Sequence, residues 1–130
     1  MEKFEDIKNK FIVDEAKYPK EKLTSLMNVL FNFVRVSKDG QVVVVKQVPT
    51  RKVLPLILSA RFIANKVENE IDEWMTRDEL MEYSYLKKEV FTARFNELLR
   101  EGMGDKKDEK IKAKNILLVE RFLKQLEEKK

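Results

Sequence analysis

Met75 to Gly102 is the stretch that leaves this chain the least choice of fold. In Thr76-Arg77-Asp78-Glu79 a hydroxyl and a carboxylate are spaced so that each satisfies an amide proton at a helix start, the capping-box arrangement. Met75 before the cap and Leu80 at the fourth helical position are placed to clamp that start as a hydrophobic staple. A helix is therefore predicted from Arg77. Its apolar pattern falters at Ser84-Tyr85-Leu86 and resumes in another phase at Val90, Phe91, Phe95 and Leu98. A second helix should run from Lys87 or Lys88 to about Glu101 and stop at Gly102, which is free to adopt left-handed angles. A connection of roughly three residues lets the second helix cross the first steeply, as in a helix-turn-helix.

The flanks extend this unit on both sides. Met103-Gly104-Asp105-Lys106-Lys107-Asp108-Glu109 reads as an exposed tip, and the alternating Lys110-Ile111-Lys112-Ala113-Lys114 as a strand; together they make a wing. Asn115 can cap a final helix whose Ile116, Val119, Phe122, Leu123 and Leu126 form one apolar stripe. Upstream, a long central helix should begin between Arg51 and Pro55 and end near Glu68, with Pro55 by its first turn, where a missing amide proton costs little. Asp39-Gly40 between β-branched runs predicts a hairpin from Phe33 to Lys46. Its four consecutive valines, Val42 to Val45, imply a strand covered on both faces, or a partner-binding edge if uncovered. Phe4, Ile7, Phe11 and Ile12 recur at helical spacing in a helix that ends before Tyr18-Pro19. A further helix follows from about Pro19, with Leu23, Leu26, Met27, Leu30 and Phe31 on its buried side. The expected class is mainly α with small β-hairpins (α+β). Residues 1–48 would form an N-terminal helical segment plus β-hairpin, and 49–130 a winged helix-turn-helix with a C-terminal helix.

Composition narrows the function. Among 130 residues there is no cysteine and no histidine. That removes disulfides, thiolate nucleophiles and sulfur-based zinc sites, together with the commonest general base and metal ligand. Asp72, Glu73, Asp78 and Glu79 form an acidic cluster without a companion motif, and the last two already have a role at a helix start. A binding module that uses no metal and no cofactor is expected, not an enzyme. The run VLPLILSA from Val53 to Ala60 is far short of the roughly 20 residues that span a bilayer. The opening MEKFEDIKNK lacks the apolar stretch of a secretion signal, so a cytoplasmic protein without membrane contact is expected. Abundant Lys and Glu without Cys fit a thermophilic origin. A net charge of +4 favours polyanionic partners.

The helix PLILSARFIA, the unit TRDELMEYSYLKKEVFTARFNELLREG and the closing wing and helix together resemble archaeal winged-helix proteins of the MarR-like or ArsR-like kind, over about Val42 to Leu126. Ala93-Arg94-Phe95-Asn96-Glu97-Leu98 matches the A-R-φ-x-E-L pattern, φ being apolar, that closes the recognition helix in such families. The resemblance implies a DNA-binding transcriptional regulator. Two departures stand against it. Glu89, Glu97 and Glu101 sit among Lys87, Lys88, Arg94 and Arg100, and Asp105, Asp108 and Glu109 among the wing lysines. Phosphate binding scales with the number of paired cations, so both departures weaken it.

Lys87, Lys88, Thr92 and Asn96 lie opposite Phe91, Phe95 and Leu98 on the second helix. Thr92 and Asn96 are placed to touch base edges while the lysines meet phosphate; the bland alternative is a solvated helix face. Lys106, Lys107, Lys110, Lys112 and Lys114 would let the wing follow a DNA backbone or minor groove, or would merely keep an edge strand soluble. Arg61, Arg94 and Trp74 read as structural, each arginine neutralising a carboxylate or lying along the core with its head in water. The competing function is protein–protein contact within a larger assembly. Because the apolar stripes of the first and last helices must both be covered, a homodimer joined through its terminal helices is expected.

Overall fold

Phe4–Phe11 forms helix α1, as its spacing predicts, yet none of its residues is buried. Phe4, Ile7, Phe11 and the following Ile12 all stay exposed. The computed structural model to which α1 belongs describes residues 3–128, a mixed α/β chain of six α-helices and two small antiparallel sheets. After α1 the chain is tied down by a 3-10 turn at Glu15–Lys17, capped by Asp14. The Glu15 carboxylate accepts the Ile116 amide proton at 2.8 Å and faces Lys66 at 3.5 Å, while the Tyr18 hydroxyl donates to Glu120. Burial and that carboxylate push the Tyr18 phenol well above its ordinary range. Helix α2 (Lys20–Phe31) follows Pro19 and buries Leu26 and Leu30. Met27 and Phe31, expected on the same buried side, are exposed: the apolar stripe of α2 is wider than the surface that covers it.

Strands β1 (Val34–Val36) and β2 (Val42–Val44) pair antiparallel, Val34 opposite Val44 and Val36 opposite Val42. The turn between them is closed by the Gly40 amide donating to the Ser37 carbonyl at 3.0 Å, with Gly40 at φ +91°. Only one face of β2 is covered. Val42 is buried, whereas Val43 and Val45 are about half exposed, so the four valines do not make a strand enclosed on both sides. A sheet of two strands has one inner face, and here that face meets the next helix.

Helix α3 (Thr50–Val67) is the centre of the molecule, with Leu54, Leu56, Ile57, Leu58 and Phe62 wholly buried. It starts earlier than the residues around Pro55 suggest, so Pro55 falls in the second turn and the Arg51 carbonyl lacks its helical partner. Arg51 is exposed, which keeps that loss small. Arg61 is only 5% exposed, and among the described residues it forms no salt bridge with a carboxylate. Its guanidinium donates to the carbonyls of Gly40 (2.6 Å), Asp72 (2.6 Å) and Trp74 (3.0 Å), binding the hairpin tip to the loop after α3. A β-carbon at position 40 would combine a positive φ with a 3.4 Å approach to that guanidinium, so the turn requires glycine.

Met75–Thr76 forms β3, a short strand that no local pattern announced. It leads into α4 (Arg77–Ser84), whose capping box is complete: Glu79 N–H donates to Thr76 Oγ1 and Thr76 N–H to Glu79 Oε1, both at 3.0 Å. Met75 and Leu80 are both fully buried, as a staple requires. Tyr85 ends α4 in the left-handed region at φ 57°. The Ser84 hydroxyl then accepts the Leu86 amide proton at 3.1 Å and turns the chain into α5 (Lys88–Arg100). Beyond Glu101, Gly102 at φ +76° and the bonds Met103 N–H to Leu98 carbonyl and Gly102 N–H to Leu99 carbonyl close a Schellman stop.

Strands β4 (Gly104–Lys107) and β5 (Lys110–Ala113) follow, joined by Asp108-Glu109, and the second sheet has the order β3-β5-β4. The connecting turn is thus only two residues, although Asp105 to Lys110 are all exposed; Gly104 to Lys107 carries no apolar period and is a strand because β5 pairs with it. Helix α6 (Ile116–Glu128) is capped by Asn115, whose Oδ1 accepts the Leu118 amide proton at 3.0 Å. Its Ile116, Val119, Leu123 and Leu126 are buried against α2, α3 and β5. The stripe of the last helix is therefore covered within the chain, and of the two terminal helices only α1 lacks cover. Leu26, Phe33 and Val42 share one core with Phe62, Phe91 and Leu123. Among the described residues no helix is long and apolar enough to cross a membrane.

Candidate nucleic-acid interface

Helix α5 turns Phe91, Phe95 and Leu98 inward, with the two phenylalanine rings stacked at 5.5 Å between centroids. That anchoring decides what points out: Lys87, Lys88 and Asn96 are exposed. Lys87 occupies the N-cap position without a side-chain cap, so the first amide protons of α5 have no acceptor in the helix. Cations and uncapped amides make this helix start electropositive, with Glu89 opposing them. Thr92 differs from its neighbours. It is half-buried, its hydroxyl donating to the Lys88 carbonyl at 2.9 Å and accepting from Arg77 at 3.3 Å.

Arg77 belongs to this surface and was missed in the sequence. A cation in the first turn of α4 opposes the helix dipole, so something else must hold it. Its guanidinium lies 5.0 Å from the centroid of the Phe91 ring and 5.3 Å from that of Phe95, joining the start of α4 to the outer side of α5. The unlikely position of the charge was the signal available; the two rings that hold it come from another helix.

The register of the second sheet sets Lys110 opposite Thr76, beside the cap of α4. Lys106, Lys107 and Lys110 are exposed on the β4–β5 hairpin, and so are Asp105, Asp108 and Glu109. A cleft of about 390 Å³ lies between this hairpin and the α4–α5 pair, with Arg77, Asp78 and Phe95 on one wall and Lys106, Asp108 and Lys110 on the other. Arg77, Lys106 and Lys110 share its lining with Asp78, Asp108 and Glu109, so charges of both signs face it.

Lys112 stands apart from the other lysines. Its ammonium is 3.2 Å from Glu73, donates to the carbonyls of Ala113 and Lys114, and lies over the Phe62 and Trp74 rings, leaving the side chain 15% exposed. Alternation along the strand suggests an open face here, but Glu73 and Trp74 from the loop after α3 cover it. The acidic cluster disperses as well. Asp72 accepts the Trp74 amide proton, Glu73 holds Lys112 and Glu79 serves the cap. Among the described residues no group of three or more carboxylates is placed to hold a metal ion. Arg94 bonds to Glu97 at 2.9 Å and to Thr50 at 3.1 Å, bracing α5 against α3. No protein-family model, curated protein or solved structure matches this chain.

Proposed function

We propose that the region from Thr50 to Glu128 acts as a winged helix-turn-helix that binds duplex DNA, as a homodimeric regulator of transcription. The observation that carries this reading is the pairing of two exposed surfaces: α5 presents Lys87, Lys88 and Asn96 away from its buried phenylalanines, and the adjoining hairpin presents Lys106, Lys107 and Lys110. In this reading α5 enters the major groove, where the Asn96 amide pairs with an adenine edge, while the lysines of helix and hairpin meet phosphates. Thr92 contributes less, because its hydroxyl is engaged with Arg77 and Lys88. Lys112 lies outside the contact set.

With four or five phosphates neutralised, affinity should fall roughly 100–500-fold between about 50 and 200 mM salt. Gel-shift titration measures this. Lys87→Glu combined with Lys88→Glu should abolish the shift and change stability by no more than about 0.5 kcal/mol. Absence of any complex at micromolar protein in low salt overturns the reading. It would favour a protein-binding surface instead, for which the alternation of Asp105, Asp108 and Glu109 with the hairpin lysines is the supporting observation.

A further inference from the structure

We propose that a second copy of this chain lays its α1 in the apolar groove between α2, β1 and α3, each copy seating the other's helix. The groove encloses about 310 Å³ and is walled by Met27, Leu30, Phe31, Val36, Ala64 and Val67. It is open: Phe31 is 60% exposed, Val67 43% and Met27 36%. The uncovered ridge of α1 is its counterpart, with Phe4 76%, Ile7 53% and Phe11 83% exposed on one side of the helix. Ala60 and Ala64 keep the groove shallow-walled on the α3 side, where an aromatic ring needs room.

The occupant follows from what holds α1. Glu15 and Tyr18 are bound to Ile116, Lys66 and Glu120, and Val13 packs on the core, so the point at which α1 leaves the body is fixed. In that position the ridge and groove of one chain stay apart, each exposed, whereas a second copy is under no such restraint. The area is sufficient only if the exchange is reciprocal. Two phenylalanines bury about 300–500 Å² per helix; two helices with the matching groove walls give about 1,200–2,000 Å², the size of a specific interface. A lone helix in one groove gives half of that. Charge allows one contact: Glu5 is already paired with Lys8 at 3.3 Å, but Asp6 in the first turn of α1 can meet Arg35 on the groove rim, which touches the Phe31 and Val34 carbonyls and the Phe31 ring but, among the described residues, no carboxylate.

The interface rests on the dimeric part of the reading above and is independent of DNA. Light scattering coupled to size exclusion at tens of micromolar should give twice the 15.5 kDa chain mass. Phe4→Glu with Phe11→Glu, and separately Phe31→Glu, should each yield monomers that keep the wild-type circular dichroism and unfold cooperatively. Because the chain has no cysteine, Ile7→Cys chains mixed with Val67→Cys chains should oxidise to a disulfide between copies. A wild-type dimer that persists in both glutamate variants overturns this interface and leaves the dimer standing; a monomeric wild type overturns both. A doubly substituted Ile7→Cys, Val67→Cys chain that cross-links within a monomer shows the helix in its own groove and also overturns the exchange.

Discussion

Replacing Arg61 with methionine keeps most of the aliphatic stem and deletes the three bonds that its guanidinium makes to the carbonyls of Gly40, Asp72 and Trp74. The bond to Gly40 is buried and the other two are partly buried. A buried carbonyl left without a donor costs about 1–3 kcal/mol, and the two at the edge recover part of their loss from water, so a total near 2–4 kcal/mol is expected. Working against this is the desolvation of a guanidinium that has no salt-bridge partner among the described residues, a penalty of several kcal/mol that the methionine variant escapes. Three charge-assisted bonds, two of them at 2.6 Å, should outweigh it. Urea denaturation of wild type and Arg61→Met should show a lower midpoint at an unchanged slope, and the melting temperature should fall by roughly 10 °C. Arg61→Lys, which offers one compact ammonium in place of a planar fork, should recover only part of the loss. A destabilisation under about 1 kcal/mol would show that desolvation cancels the bonds and that the hairpin is held by apolar packing alone.

Lys112→Met should lower stability by about 1 kcal/mol, since it removes the Glu73 pair and two ring contacts, while DNA affinity in gel shifts changes less than twofold. Lys110→Met should do the reverse; equal loss of binding in the two variants at unchanged stability would return Lys112 to the interface. Tyr85→Gly should raise stability by about 0.5–1 kcal/mol, because the left-handed turn strains a residue with a β-carbon and its 90%-exposed ring buries little in return. A lower urea midpoint in that variant would refute the strain.

What the sequence by itself determined lies within a few residues of its own signal. The capping box at Thr76, the Schellman stop at Gly102, the Asn115 cap and the outward side of α5 each depend on bonds or spacings inside one helix turn or two. Of the candidate site, Lys87, Lys88, Asn96, Lys106, Lys107 and Lys110 are exposed as their positions imply. Only the tertiary structure decided the rest. Strand β3 exists because Met75 meets Ile111, and β4 because β5 lies beside it. Lys110 and Lys112 have the same place in the alternation, yet one is exposed and the other is drawn in by Glu73 and Trp74. Arg61 finds its acceptors on two separate loops. The first and last helices carry equally clear apolar stripes, and what separates the covered one from the uncovered one is the presence of α2, α3 and β5 beside α6. A helical period states that a surface must be covered; what covers it depends on contacts between residues far apart in the chain, whose energies no local pattern encodes.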